Sequence, residues 1–190
     1  MKVVNRLSKA INYFICLLVL LMVFEANANK NQRKQVRIKA AFIFQMSKFV
    51  NWEYNAQTTL NFCFHNDKRN AHVYGALKDL QSQGKLIIGN RQIELLTLPD
   101  DYKDIQHYHH CSLVYFIPRI ETKVPSAILE QLGKNKLVIG NSKTFLAKGG
   151  LSALIIESGK NKLYINYKQY EQSDIKISSR LMSLARMYTD

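Results

Sequence analysis

The stretch CSLVYFI, residues 111–117, is a short and almost continuously apolar run between His110 and Pro118. A strand with one solvated face alternates polar and apolar residues, whereas an unbroken apolar run is typical of a strand buried on both faces. A second run of this kind, LVI, occupies residues 137–139. These runs favour a sheet that is covered by helices over a sheet that is open to water.

Segments with strand and helix patterns alternate on both sides of this run. The expected strands cover residues 60–64, 86–98 (two pieces around Gly89-Asn90-Arg91), 151–156 and 163–167, and the expected helices cover residues 35–50, 71–81 and 126–132. The sequence SGKN at residues 158–161 is typical of a hairpin turn. The predicted fold class is α/β, a single layered domain with a mixed β-sheet flanked by helices, a C-terminal β-hairpin and a terminal helix.

The terminal helix is predicted to begin at Ser178, a residue type that caps helix N-termini. Its apolar stripe consists of Leu181, Leu184, Ala185 and Tyr188. Arg180 and Arg186 are placed on the same helix, where they interact with its C-terminal dipole, with an acid of a partner, or with solvent.

The first predicted helix carries two apolar stripes, so that AAFIFQM (residues 40–46) is apolar nearly all round. A helix of this kind needs burial on more than one side, either inside the core or against a partner subunit. The stripes are Val36, Ala40, Ile43, Ser47 and Val50, and Ile38, Phe42, Met46 and Phe49. The candidate interface residues are Phe42, Phe44, Phe49 and Trp52, with burial at the core edge as the alternative for Trp52.

Residues 1–28 have the three parts of a secretory signal peptide: a basic start, the apolar run ICLLVLLMVF, and Ala26-Asn27-Ala28, which fits the small-x-small cleavage pattern. Ten apolar residues span about 15 Å of helix, roughly half of a bilayer core. Cleavage after Ala28 is therefore favoured over a membrane anchor. We expect residues 29–190 to form a single domain that is exported and is not itself transmembrane.

The chain is strongly basic, with a net charge of +13. In the cytoplasm such a charge would suggest nucleic acid. In an exported protein no nucleic-acid partner is expected, and the counter-charges are anionic lipids, wall polymers or an acidic partner protein. The lysines are scattered along the chain, and solvation alone explains many of them.

Removal of the leader also removes Cys16 and leaves Cys63 and Cys111. An even pair of cysteines in an oxidising compartment favours a disulfide. The alternative is a zinc or copper site formed by these thiolates with His65, His109 and His110. Metal sites of this type usually show C-x₂₋₄-C or H-x₃₋₅-H spacing, which this chain lacks.

The motifs of common enzyme classes are not found in the sequence. It contains no G-x-x-x-x-G-K-[ST], G-x-G-x-x-G, G-x-S-x-G or H-E-x-x-H pattern. The sequence GNSKT, residues 140–144, is typical of a polar turn from a strand into a helix. We therefore expect no catalytic residues and no cofactor, although catalytic groups can also converge from distant positions.

The order of these features resembles the YfiR-like family of periplasmic proteins. The resemblance covers nearly all of residues 29–190, and no single motif carries it. The matching residues are Val36–Phe44, Lys48–Trp52, Cys63, Gly89–Ile93, Cys111, Phe145, Gly149-Gly150, Ile165-Asn166, Ile177–Leu181 and Leu184-Ala185.

The resemblance implies a small periplasmic α/β domain, often dimeric and without known catalysis. The best understood members repress an inner-membrane diguanylate cyclase by binding its periplasmic sensor domain, which lowers cyclic di-GMP and disfavours biofilm. Cys63 and Cys111 match the cysteine pair of the family, which forms a disulfide. Some members have a second pair near the double glycine, where this chain has Phe145 and Ser152, so a redox switch that depends on the second pair is not implied here.

Three functions remain in competition. The first is a regulator that docks on the periplasmic domain of a membrane sensor of the diguanylate cyclase type. The second is a periplasmic small-molecule binding protein whose aromatic residues line a pocket. The third is a metal-binding protein at the Cys/His cluster.

Overall fold

The computed structural model describes residues 34–52, 58–65, 72–99 and 101–189. The predicted leader lies outside these residues. The chain forms an eight-stranded mixed sheet, with helices packed against it, and a separate two-stranded sheet. Within the described ranges, no helix has the length and apolar character needed to cross a membrane.

The elements follow in chain order. They are α1 (residues 34–47), β1 (Val50–Asn51), β2 (Thr59–His65), α2 (His72–Ser82), β3 (Ile87–Ile88), β4 (Arg91–Leu98), a 3₁₀ turn (Ile105–Tyr108), β5 (Leu113–Tyr115), α3 (Pro118–Glu121), α4 (Ser126–Gly133), β6 (Leu137–Gly140), α5 (Lys143–Ala147), β7 (Ser152–Glu157), β8 (Lys160–Asn166), α6 (Tyr167–Glu171), β9 (Lys176–Ile177), α7 (Ser179–Leu184) and β10 (Arg186–Tyr188).

The large sheet has the strand order β10-β8-β7-β6-β5-β2-β4-β3. Its centre, from β4 to β7, is parallel, whereas β3 and β8 are antiparallel to their neighbours β4 and β7. The predicted α/β class and mixed sheet are thus confirmed. The predicted hairpin is also confirmed, since Glu157 pairs with Lys160 across the turn at Ser158-Gly159, where both residues have positive φ.

The apolar run at 111–117 lies in the middle of this sheet, as predicted. All seven of its residues are buried, and Leu113–Tyr115 pairs with β2 on one side and β6 on the other. The ladder continues beyond the strand, because the Ser112 N–H donates to the Asn61 carbonyl at 2.8 Å and the Phe116 N–H donates to the Ile139 carbonyl at 2.9 Å.

The end of the chain differs from the prediction. Ser178 caps α7 as expected, but the helix ends at Leu184, and Ala185 is extended. Arg186 to Tyr188 form β10, which runs parallel to β8. Leu184 is 73% exposed and Tyr188 is not helical, so the predicted stripe was wrong at both positions. Backbone pairing with β8 outweighs the helical periodicity of a short segment.

The first helix is also shorter than predicted. It ends at residue 47, and Val50 and Asn51 pair with Ile177 and Lys176 in the small antiparallel sheet β1–β9. Trp52 follows, and its indole N–H donates to the Ser47 carbonyl at 2.7 Å. Arg91 donates to the Trp52 carbonyl at 2.7 Å. These contacts hold the end of α1 beside both the small sheet and β4.

The disulfide between Cys63 and Cys111 is present. It joins β2 to the residue that opens the 111–117 run, and both cysteines are buried. The covalent link therefore reinforces the central β2–β5 pairing.

Reduction of this disulfide is expected to lower the free energy of unfolding by up to about 4 kcal/mol, because the bridge closes a loop of 48 residues. Urea unfolding with and without a thiol reductant measures this loss. The C63S/C111S double variant serves as the reference that reductant cannot change. Equal stability of the oxidised and reduced chains, or an intact mass unchanged by reduction, would contradict the prediction.

Phe145 fills the space beside two glycines. A methyl group built on Gly140 or on Gly150 would lie 2.2 Å from the Phe145 ring, whereas a methyl group on Gly75 in α2 would meet no atom within 4 Å. Phe145 is buried, so its ring cannot move aside freely.

We therefore expect opposite effects from the same substitution. G140A forces Phe145 or the backbone to shift and should destabilise the chain by about 1–3 kcal/mol, the usual cost of overpacking. G75A should stabilise it by about 0.5–1 kcal/mol, because alanine is the better helix former. Thermal and urea unfolding of both variants test the pair. A loss of stability in G75A, or none in G140A, would refute the packing assignment.

Candidate functional site

A shallow groove, open to solvent, lies where the end of α1 meets the segment before α7. Its volume is about 330 Å³. The groove is defined by the seven residues that line it: Lys48, Phe49, Val50, Asn51, Lys176, Ile177 and Ser178.

The small sheet β1–β9 builds the groove. Val50 pairs with Ile177 and Asn51 pairs with Lys176, and the Ser178 N–H donates to the Phe49 carbonyl at 2.9 Å. Opposed residues in an antiparallel pair point to the same face. Val50 and Ile177 are accordingly buried together, and Asn51 and Lys176 are both exposed.

Three cations lie at the groove: Lys48 and Lys176 line it, and Arg180 lies over the ring of Phe49. The Lys48 ammonium lies 4.3 Å from the centre of the Phe44 ring, and the Arg180 guanidinium lies 5.9 Å from the centre of the Phe49 ring. Lys176 is exposed. In the parts of the chain that the structure describes, none of these three side chains is paired with a carboxylate.

The surrounding sequence has the same sign of charge. Residues 34–50 contain four basic and no acidic residues, and residues 175–189 contain three basic and no acidic residues. Lys39 is held by Asn141 and Arg186 is paired with Glu157, so the positive potential over the groove comes mainly from Lys48, Lys176 and Arg180. The groove thus combines a partly apolar floor with a basic rim.

The predicted interface residues fall into two groups. Phe44 and Trp52 are buried, and the Trp52 ring lies 6.4 Å from that of Phe62. Phe42 is 39% exposed and Phe49 is half-buried in the groove wall. Within this chain, the accessible members of the predicted set are therefore Phe42 and Phe49.

The two apolar stripes of α1 have different environments. Ala40, Ile43 and Ser47 of the first stripe are buried, whereas Ile38 is half-buried and Phe42 is exposed in the second. Met46 of the second stripe is also buried and Phe49 is half-buried, so Phe42 is the member of that stripe that the chain leaves exposed.

Arg180 and Arg186 were predicted to lie on the same helix, and the structure places them on different elements. Arg180 lies in the first turn of α7, so it cannot stabilise the C-terminal dipole of that helix. Arg186 lies on β10, where it donates to Glu157 and to the Tyr164 hydroxyl. The hydrogen bond from Tyr164 lowers the pKa of Glu157, and the charge of Arg186 lowers it further.

The Cys/His cluster does not converge. Cys63 and Cys111 are consumed by the disulfide. His65 is buried, with Nε2 3.1 Å from the Tyr108 hydroxyl and Nδ1 3.3 Å from the Pro99 carbonyl. His109 and His110 are exposed. Among the described residues, no three side chains of ligating type are grouped as a metal site would require.

A partly buried polar cluster fastens α1 to the large sheet. Asn141, which follows β6, accepts hydrogen bonds from Lys39 Nζ and from the Tyr115 hydroxyl. Its own side-chain amide donates to the Phe116 carbonyl and to Glu121, and its backbone N–H donates to Glu121 at 2.6 Å. Burial lowers the pKa of Lys39, and the charge of Glu121 partly opposes this shift.

This cluster occupies the carboxyl ends of parallel strands β5 and β6, the edge where α/β sheets commonly bind ligands. Here Lys39 of α1 fills that position. The cluster therefore fixes the helix whose end forms one wall of the groove.

Sequence reasoning placed Asn141 only in a polar turn and did not identify Lys39, Glu121 or Lys176. A polar residue directly after a buried strand is a local signal for Asn141. Lys39 and Asn141 are 102 residues apart, so no local pattern could have joined them.

Two buried tyrosines make the stability of the fold depend on pH in the alkaline range. Burial raises the pKa of Tyr108 and of Tyr115 above the ordinary value of 10.0. A tyrosine whose pKa is higher in the folded chain than in the unfolded chain stabilises the fold below pH 10. This stabilisation is lost as the pH rises through the pKa of the folded chain. Burial lowers the pKa of Lys39 and of Lys136. These two groups make the free energy of unfolding rise with pH, and their effect no longer changes above the ordinary lysine pKa of 10.5.

Above pH 10.5 the free energy of unfolding is therefore expected to fall by up to about 1.4 kcal/mol per pH unit for each of these tyrosines. Urea unfolding at a series of alkaline pH values measures the slope. Y115F should remove roughly half of it, while Y74F, on α2, serves as the matched control. A slope unchanged in Y115F would show that Tyr115 is not the group that titrates.

Comparisons with known proteins agree with this fold. The family model described as DUF4154, YfiR/HmsC-like, matches residues 36–186. A search of curated proteins finds no match. Among solved structures, a conserved domain protein from Vibrio cholerae O1 biovar El Tor str. N16961 is similar with a TM-score of 0.54 and 13% identity, over 81% of this chain and 60% of that one.

An identity this low shows a shared fold alone, and this chain spans about 60% of the length of the Vibrio protein. The match to the family model is stronger support for family membership, because it extends from α1 to the first residue of β10. The family is regulatory rather than catalytic and is known for regulators of diguanylate cyclase signalling. The chain belongs to the YfiR/HmsC-like family.

Proposed function

We propose that the chain is a periplasmic, non-enzymatic regulator that binds the periplasmic sensor domain of an inner-membrane protein of the diguanylate cyclase type and so modulates cyclic di-GMP. The observation that carries the proposal is the family match over residues 36–186. It spans nearly every described element, including both segments that form the groove.

The location is part of the proposal. Residues 1–28 act as a signal peptide that is cleaved after Ala28, and residues 29–190 form one exported domain. The disulfide between Cys63 and Cys111 supports this location, because disulfides persist in oxidising compartments such as the periplasm.

The regulator works by preferring one state of its partner. A bound protein shifts a two-state equilibrium only by the ratio of its affinities for the two states. A tenfold preference corresponds to about 1.4 kcal/mol, enough to bias a sensor whose states are close in free energy. Release of the regulator returns the sensor to its own equilibrium.

The groove supports a protein partner better than a small ligand. Small-molecule sites are usually concave pockets of about 300–1,000 Å³ that enclose most of their ligand. The groove has a volume at the lower end of that range and is open to solvent. A macromolecular surface can cover an open groove, whereas a small ligand would stay largely wet.

A homodimer is the second partner that we propose. The support for this proposal is the family, whose members are often dimeric. The molecular mass in solution, by light scattering, decides between monomer and dimer.

Deletion of the gene in its native host tests the function. Cyclic di-GMP should rise, because the family acts by repression, and the full chain supplied in trans should restore it. The matched control is residues 29–190 preceded by a start methionine. This chain lacks the leader and stays in the cytoplasm, so it should not restore the cyclic di-GMP level.

Two results together would sink the proposal. One is an unchanged cyclic di-GMP level in the deletion strain. The other is the lack of any inner-membrane protein crosslinked to the tagged full chain in intact cells.

A further inference from the structure

We propose that the groove and the exposed Phe42 of α1 form one docking surface for a protein segment that presents carboxylates beside an apolar side chain. The proposal rests on the proposed function and adds to it the chemistry of the partner and the face that binds it.

The first argument is charge. Lys48, Lys176 and Arg180 border the groove, and among the described residues no carboxylate neutralises them. Along the sequence Asp174 lies two residues before Lys176, and the three cations outnumber it. A partner that supplies carboxylates gains attraction here and reaches the surface faster, whereas a basic partner is repelled.

The second argument is the apolar floor. The Phe49 side chain forms part of the groove wall beneath Arg180, and Phe42 is exposed on α1, seven positions earlier in the sequence. A purely anionic partner would leave both rings wet, so the partner must bring an apolar side chain as well.

A second copy of this chain fits the surface poorly. A two-fold dimer interface places the same patch of both subunits face to face. The basic rim of one subunit would then face the basic rim of the other, and like charges brought together across an interface disfavour the pairing. The proposed homodimer must therefore use a different arrangement, and the groove is left for an acidic partner.

A direct binding experiment tests the chemistry. The purified exported protein is titrated against a fluorescein-labelled peptide of alternating glutamate and leucine, and against the same peptide with lysine in place of glutamate. The acidic peptide should bind and the basic one should not. Added salt should weaken binding, because the rim cations are exposed.

The matched variants are K176E/R180E and K103E/K123E. All four side chains are exposed, and Lys103 and Lys123 do not line the groove. Both variants change the net charge equally and should melt like the unmodified chain. The groove variant should bind the acidic peptide at least about tenfold more weakly, and the control variant should bind normally.

The contrary outcomes are distinct. Equal affinity of both variants, or no binding of the acidic peptide to the unmodified chain, overturns the docking surface. If vesicles of phosphatidylglycerol and phosphatidylethanolamine bind the groove and the peptide does not, the surface belongs to a membrane and the proposal is wrong.

Complementation in cells separates this inference from the proposed function. If the full chain restores cyclic di-GMP and K176E/R180E does not, while K103E/K123E does, the groove is the regulatory face. If both variants restore it, regulation stands and the groove is not the docking surface. If the unmodified chain has no effect, the proposed function fails, and the peptide titration alone still decides whether the groove takes acidic segments.

Discussion

The burial of β5 between β2 and β6 is the constraint on which the rest of the structure depends. Every residue from Cys111 to Ile117 is buried, so water can reach neither face of the strand. The backbone groups are satisfied by parallel ladders on both sides, and the side chains require covering elements above and below. The disulfide to Cys63 adds a covalent link to the same β2–β5 pair. The loops at the ends of these strands are thereby held in fixed places.

The first helix depends on this frame through polar contacts as well as apolar ones. Asn141 follows β6, and it holds Lys39 of α1 and Glu121 of α3 in one partly buried cluster. A partly buried charge is costly unless it is hydrogen-bonded, so the cluster restricts where Lys39 can lie. The small sheet β1–β9 holds the segment that follows the C-terminal end of the helix. The groove forms where this segment meets β9.

Local patterns predicted what depends on local sequence. The continuous apolar run indicated the buried central strand, the glycine turn at Ser158-Gly159 indicated the hairpin, and Ser178 indicated a helix start. The errors occur where distant pairing decides the outcome. The segment 186–188 has a helical pattern but pairs with β8, and Val50 leaves the predicted helix to pair with Ile177. The groove has the same origin, since its two walls come from segments more than a hundred residues apart.

The high net charge becomes informative once each cation is placed. Several basic side chains bind atoms of the fold itself: Lys136 donates to the Cys111 carbonyl, Lys148 to the Thr122 carbonyl, and Arg91 to the Trp52 carbonyl. Arg186 is neutralised by Glu157. Such residues raise the formal charge without offering it to a partner. Lys48, Lys176 and Arg180 differ, because in the described chain they border a groove and are not paired with a carboxylate. The proposed docking surface therefore depends on where these cations lie, beside the groove and the Phe49 ring, rather than on the total charge of the protein.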